Sequence, residues 1–187
     1  MNEKITQTIE DLINDFESYP DKYLTESDVR CILFKKLIES KEFSQLQHTE
    51  DNSFSIPLHT EVRWYGESGR LRWRSDIVIV DVSSLRVKNI IFRLPTKGFG
   101  FNKPLAIIEI KLRRINGASD SIFVKNVCKD IKKLEEIINE LHGDYFCCLI
   151  ILDKKKNIEE MIKYLYRENR IKIFYKYSGN NRQSNKK

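Results

Sequence analysis

The chain has 187 residues, of which 41% are hydrophobic and 32% charged, with only 7 Gly and 4 Pro. This composition supplies enough apolar material for one packed core, and it excludes a collagen-like, low-complexity or wholly disordered chain. Every apolar run is shorter than the roughly 18 residues that a membrane-spanning helix needs. The N-terminus also lacks the basic start, apolar centre and cleavage site of a secretory signal. We therefore expect a cytoplasmic protein without a membrane-spanning helix.

The formal net charge of +6 is unevenly distributed. Residues 1–60 carry a formal charge of −6, and the remainder carries +12. This asymmetry fits a protein that presents one basic face to a polyanion such as nucleic acid, although solvated basic helices would give the same sum.

Several kinds of site are missing from the sequence. The four cysteines form no CxxC pair and have no histidine at a zinc-type spacing, so we expect reduced cysteines in the core rather than a zinc or iron–sulfur site. The three histidines show no spacing typical of a nucleophilic hydrolase. No phosphate-binding or dinucleotide-binding glycine pattern occurs, so we expect no nucleotide cofactor.

The first elements in chain order are two amphipathic helices. Apolar residues recur at helical spacing over 3–18, and Pro20 closes the segment. A second helix begins after Thr25, a good N-cap with Asp28 three residues later. The polar stretch 44–55 is expected to be a loop.

The pattern then changes to the period of two that is typical of strands. We predict a hairpin of strands 57–65 and 71–82 joined by a glycine-containing turn at 66–69. Residues 83–103 form an insertion with at most one short strand. The nearly continuous apolar run 105–112 is typical of a central strand buried on both faces.

The rest of the chain alternates helices and strands and ends in a polar, basic tail that we predict to be disordered. These segments are the helix 120–141 stopped by Gly143, the strand 145–152, the helix 158–166, the strand 171–175 and the tail 178–187. We predict a single α/β domain over residues 1–177, with an N-terminal helix 3–18, a core over about 24–153, and a C-terminal helix and strand over 157–176. Three strands form an antiparallel meander, and the third crosses over through the long helix to a parallel fourth strand.

Charged residues interrupt two of the predicted core strands. Strand alternation places Glu109 and Lys111 on one face of the third strand. On the second strand Asp76 and Asp81 have opposite parity, so only one of them can join that face. Antiparallel pairing brings the start of the second strand beside the end of the third, which selects Asp76.

These residue types suit metal-dependent phosphodiester chemistry. Carboxylates on neighbouring strands form an oxygen site suited to Mg²⁺ or Mn²⁺. Lys111 could orient or help to deprotonate an attacking water and stabilise a phosphorane-like transition state. Glu26, on a helix near the sheet, could supply a further metal ligand.

This arrangement resembles the PD-(D/E)XK, or restriction-endonuclease-like, nuclease superfamily. That superfamily has an acidic residue on its first core helix, an Asp on its second strand and Asp/Glu-x-Lys on its third. Glu26, Asp76, Glu109 and Lys111 occur in that order, and the match in layout covers about residues 24–153. The resemblance implies an αβββαβ core with a mixed central sheet flanked by helices, and divalent-metal-dependent hydrolysis of nucleic acid.

The sequence departs from the superfamily pattern in two places. Ser75 stands where the pattern has Pro, and Glu109 lies 33 positions after Asp76, more than a simple hairpin needs. The insertion 83–103 is therefore either a flap that contacts substrate or an extra strand. We expect DNA rather than RNA as the partner because most of the resembling families act on DNA. A homodimer formed through the acidic N-terminal helix would suit double-strand cutting.

Each candidate residue also has an ordinary structural interpretation. Glu109 and Lys111 could form a weak ion pair on an exposed strand. Asp76 could end a turn. Glu26 could interact with the helix dipole or pair with Arg30 four residues later.

Arginines and aromatic residues surround the predicted site. Arginines could clamp phosphates, and exposed aromatic rings could stack on unpaired bases, although cross-strand packing in an arginine-rich hairpin explains the same residues. Glu61 is a reserve acid whose ordinary role is a cross-strand partner for an arginine. The lysines of helix 120–141 are expected to form a solvated face. The expected nucleic-acid ligands are Arg63, Arg72, Arg74, Arg113 and Arg114.

Two other classes of function compete with the nuclease hypothesis. A non-catalytic nucleic-acid-binding or assembly subunit could retain the same fold. An unrelated α/β interaction protein would leave Glu109 and Lys111 exposed and distant from Asp76.

Overall fold

The computed structural model describes residues 1–65, 71–85, 104–141, 145–165 and 170–179. Within these ranges the helices are α1 (Asn2–Ser18), α2 (Glu26–Ile38), α3 (Lys41–Ser44), α4 (Asp120–Leu141) and α5 (Glu159–Lys163). The strands are β1 (Gln47–His48), β2 (Phe54–Ser55), β3 (Leu58–Tyr65), β4 (Leu71–Val80), β5 (Pro104–Arg113), β6 (Phe146–Asp153) and β7 (Lys172–Tyr177). The predicted turn 66–69, the part of the insertion after Leu85, the helix stop at Gly143 and the tail after Gly179 lie outside the described residues.

A mixed five-stranded sheet forms the centre of an α/β fold, in the order β3-β4-β5-β6-β7. β3, β4 and β5 pair antiparallel, whereas β6 pairs parallel with β5 and with β7. The predicted meander and the parallel fourth strand are therefore confirmed. None of the helices in the described part of the chain is long and apolar enough to cross a membrane.

Helices cover both faces of this sheet because strand residues alternate between two apolar clusters. Ile108 and Ile110 of β5 pack in a cluster with α1 and α2, whereas Ile107 packs with α4 and α5. β6 is buried at every residue, as expected for a strand covered on both faces. Cys147 and Cys148 lie in this buried strand, whereas Cys31 is exposed and Cys128 half-buried, so the prediction of core cysteines is correct for two of the four and wrong for Cys31.

The segment 44–55 is not simply a loop, as the sequence had suggested. β1 and β2 pair antiparallel to form a small hairpin. Its turn is closed by a hydrogen bond from the Thr49 N–H to the Ser53 carbonyl oxygen, and Asn52 has a φ of 56°. Asn tolerates this left-handed conformation, so turn chemistry rather than apolar patterning forms the hairpin.

α2 begins where the sequence predicts. The Thr25 hydroxyl accepts a hydrogen bond from the Asp28 N–H, and the Asp28 carboxylate accepts one from the Thr25 N–H. This reciprocal cap fixes the first turn of the helix. It places Glu26 at the helix start, beside the end of β5.

The ladder between β4 and β5 stops partway along both strands. Its described pairs run from Val80–Pro104 to Ile77–Ile108, whereas β5 remains paired with β6 as far as Arg113. One edge of β5 is therefore released from β4 after Ile108. The predicted site residues lie at this opening.

Candidate active site

Two carboxylates accept hydrogen bonds from main-chain N–H groups of β5, beyond the point where β5 stops pairing with β4. Asp76 Oδ2 accepts a hydrogen bond of 2.9 Å from the Ile110 N–H. Glu26 Oε1 accepts a longer one, 3.3 Å, from the Leu112 N–H. Because partly buried main-chain donors need acceptors, these carboxylates replace the missing strand partner. The structure thus brings Asp76 and Glu26 to the same edge of β5.

Glu109 is the most buried acid at this opening, with a side chain only 4% exposed. Its Oε2 lies 2.6 Å from Lys133 Nζ, whereas its buried Oε1 accepts no hydrogen bond from any residue that the structure describes. Burial raises the pKa of Glu109 to about 8, against the opposing charge of Lys133 and with a further contribution from Asp76. The alternative of an exposed surface pair does not fit this burial.

Lys111 lies between acids contributed by two helices. Its Nζ is 3.1 Å from Asp130 Oδ2 on α4 and 3.7 Å from Glu26 Oε1 on α2. Burial alone would lower the pKa of Lys111, but Asp130, Glu26 and Asp76 outweigh that effect and raise it. Lys111 is therefore a protonated cation at neutral pH.

Asp130 and Lys133 are the site residues that the sequence analysis missed. They lie three residues apart on α4. Asp130 pairs with Lys111 of β5, and Lys133 pairs with Glu109 of the same strand. The available signal was an Asp-x-x-Lys spacing beside the apolar stripe of the helix. Lys129, in contrast, is exposed as expected of a solvated face.

Arg30 connects Asp76 to a second acid on the neighbouring strand. Its guanidinium lies 3.4 Å from Asp76 Oδ1 and forms an ion pair with Glu61. Glu61 also pairs with Arg74 across the β3–β4 ladder, at 2.9 Å. The ordinary interpretation of Glu61 as a cross-strand partner of an arginine therefore describes its contacts. Arg30 contacts these strand acids and Ser27.

Glu61 has a φ of 57° in the middle of β3. This left-handed conformation is uncommon for a residue other than Gly, Asn or Asp. It falls where the strand changes faces: Leu58 packs in the cluster with α1 and α2, whereas Val62, four residues later, packs in the cluster with α4. Regular alternation would have kept both residues on one face.

The expected nucleic-acid ligands differ in accessibility. The prediction that Arg113 binds nucleic acid is wrong, because its side chain is 0% exposed and pairs with Asp153 and Asp120. It stabilises the packing of α4 on the sheet and cannot meet a phosphate. The accessible members are the exposed Arg74 and Arg114 and the half-buried Arg63, while the Arg72 side chain lies outside the described part.

A divalent metal can be tested against these ligands. Among the described residues no three His, Cys, Asp or Glu side chains are arranged to hold a metal ion. Mg²⁺, however, is commonly bound through one or two carboxylates while it keeps several waters. Asp76 and Glu109 supply two carboxylates at this opening, and Glu109 Oε1 is a buried acceptor without a partner among the described groups. Glu26 and Asp130 contact Lys111.

Comparison with protein-family models, with curated proteins and with solved structures gave no match for this chain.

Proposed function

We propose that this protein is a divalent-metal-dependent nuclease of the restriction-endonuclease-like type. One observation carries the proposal. Glu109, on a strand otherwise built for the core, has a buried carboxylate oxygen without a described partner at the point where β4 and β5 separate. Charges in such a place are unfavourable unless they are paired or functional.

Asp76 and Glu109 would hold the metal. The last described pair of the β4–β5 ladder is Ile77–Ile108. Continuing that register by one residue places Asp76 opposite Glu109. A Mg²⁺ or Mn²⁺ ion bound there would polarise a phosphodiester and lower the pKa of water. The hydrogen bond from the Ile110 N–H keeps the Asp76 carboxylate turned toward β5.

Lys111 has the charge needed to stabilise a phosphoryl transition state. Asp130 and Glu26 hold its ammonium from two sides, and their charges keep it protonated. A preorganised cation of this kind stabilises negative charge that develops on the reacting phosphate. We therefore assign Lys111 to water orientation and charge stabilisation rather than to deprotonation of the water.

The accessible arginines supply contacts for the substrate backbone. Arg74 is 60% exposed and lies at the start of the opening, bound to Glu61 through one nitrogen. Arg114 is exposed directly after the end of β5. Phosphate contacts of this kind position nucleic acid without reading its sequence. DNA remains the favoured substrate through the superfamily resemblance alone.

A non-catalytic nucleic-acid-binding subunit is the second candidate. The observation in its favour is that each of five acids at the site lies within 4 Å of a basic side chain. The pairs are Glu26–Lys111, Glu61–Arg30, Asp76–Arg30, Glu109–Lys133 and Asp130–Lys111. Such a network could be purely structural, and binding would then occur without turnover.

The test is a cleavage assay on supercoiled plasmid, linear duplex, single-stranded DNA and RNA, each with Mg²⁺, Mn²⁺ or EDTA. The matched variants are Glu109→Gln, which replaces the buried carboxyl group by an amide that cannot ionise, and Lys129→Ala, which removes an exposed charge from α4. We expect metal-dependent cleavage by the wild type and Lys129→Ala and loss of cleavage in Glu109→Gln. Cleavage of none of the substrates, with salt-sensitive binding retained, would favour the binding subunit.

A further inference from the structure

Lys133 is the nearest cation to the buried carboxylate of Glu109 among the residues that the structure describes. Its Nζ lies 2.6 Å from Glu109 Oε2 and donates a hydrogen bond of 3.0 Å to the Arg74 carbonyl oxygen. The side chain is 21% exposed, so it is not sealed from solvent as Glu109 is. Helix α4 thus places a single positive charge against the carboxylate that we assign to the metal.

We propose that Lys133 is a resident counter-ion that a divalent metal displaces from Glu109. This inference rests on the proposed function. The Glu109 side chain is almost completely buried, so its ionised form needs a positive partner, and Lys133 meets that need before metal binds. Once a divalent cation coordinates Glu109, the ammonium is repelled by it and is no longer needed as a partner.

Two other acceptors already lie near Lys133 Nζ and would remain available to it after this exchange. Asp130 Oδ1 lies 3.9 Å from Lys133 Nζ, one turn earlier on α4. The Arg74 carbonyl oxygen, 3.0 Å away, already accepts a hydrogen bond from the same Nζ. A long, flexible lysine can move toward these groups without a change in the helix.

Amine acylation followed by peptide mass spectrometry tests the exchange directly. The wild-type protein is treated briefly with acetic anhydride in EDTA and in saturating Mg²⁺, and the acylated fraction of Lys133 is compared. We expect a several-fold increase with Mg²⁺ at Lys133. Lys129, exposed on the same helix, serves as the internal control and should not change.

A second arm uses Glu109→Gln, which removes the charged partner of Lys133. In this variant Lys133 should react readily in EDTA, and Mg²⁺ should add no further increase. If the variant does not fold, the wild-type comparison alone decides the question.

Calorimetric titration with Mg²⁺ distinguishes failure of the Lys133 exchange from failure of the proposed nuclease function. Binding of Mg²⁺ with no increase in Lys133 acylation would overturn the exchange and leave the nuclease proposal standing. Absence of Mg²⁺ binding would overturn the metal-dependent nuclease, and the exchange with it. Mg²⁺ binding together with selective acylation of Lys133 would support both.

Discussion

The Asp76 carboxylate accepts a hydrogen bond from the main-chain N–H of Ile110, 2.9 Å away, where β4 no longer pairs with β5. A side chain thus takes the place of a strand. Asp76 consequently contributes to folding stability independently of any metal. This structural contribution has to be measured separately from its proposed role in metal binding.

Two substitutions of Asp76 make that separation. Asp76→Ala leaves the Ile110 N–H without its acceptor, so we expect the free energy of unfolding to fall by about 1–3 kcal/mol. Asp76→Asn keeps an amide oxygen that can accept the same hydrogen bond and should be the milder change. Both should abolish Mg²⁺-dependent cleavage. Urea denaturation in EDTA provides the measurement, and equal stabilities for the wild type and Asp76→Ala would contradict the structural contribution.

Glu109 should make folding stability depend on pH. Its pKa in the folded protein is raised from the ordinary 4.5 to about 8, so the folded state binds the proton more tightly than the unfolded state does. The Glu109 contribution to stability is therefore present at low pH and is lost as pH rises from about 4.5 to about 8.

The matched comparison for this pH effect is Glu109→Gln, a neutral side chain of similar shape. Relative to that variant, wild-type stability should decline by an amount on the order of a few kcal/mol between pH 5 and pH 9. Urea denaturation across this range, in EDTA, measures the difference. Parallel stability curves for the two proteins would show that Glu109 does not titrate in this interval.

Lys111→Met tests the transition-state assignment of the lysine between Asp130 and Glu26. Removal of one preorganised charge of this kind lowers kcat by about 10²–10³-fold. Because the ammonium acts on charge that develops during the reaction, KM should change little. Steady-state cleavage kinetics provide the measurement, with Lys129→Met as the control for loss of a charge on α4. A Lys111→Met protein with wild-type kcat would remove the lysine from the mechanism.

Arg113 and Arg114 are neighbours with opposite expected behaviour. Arg113→Met leaves Asp153 buried without its main partner, so we expect a loss of about 3–5 kcal/mol in the free energy of unfolding. Arg114→Ala should change stability by no more than about 0.5 kcal/mol. If Arg114 contacts a phosphate, its removal should lower the salt dependence of nucleic-acid binding by about one unit of slope. Thermal unfolding and binding at several salt concentrations distinguish the two residues.

Periodicity was sufficient to predict much of the arrangement around the site. The apolar spacing of α4 and the continuous apolar run of β5 identified both elements, and the Thr25 cap located the start of α2. Strand parity and antiparallel pairing together selected Asp76 over Asp81. Asp81 instead caps a short 3₁₀ helix, where its carboxylate accepts a hydrogen bond from the Ser83 N–H.

The residues that the sequence did not reveal depend on contacts between distant elements. The pairing of Asp130 and Lys133 with β5 requires the rotation and height of α4 on the sheet, which periodicity leaves open. Arg113 was misassigned because it follows Lys111 at the predicted catalytic end of β5, where an arginine was expected to bind phosphate. The extension of β5 beneath the start of α4, however, buries Arg113 against Asp120 and Asp153.

The left-handed backbone of Glu61 restricts which amino acids can occupy its position. Gly or Asn would adopt a φ of 57° more readily than Glu does, but neither carries a carboxylate that can pair with both Arg30 and Arg74. Asp tolerates the conformation and keeps the charge, but its side chain is one methylene shorter. The backbone conformation and the ion pairs therefore favour different amino acids at position 61. Substitutions there would rank differently for folding stability and for the placement of Arg30 beside Asp76.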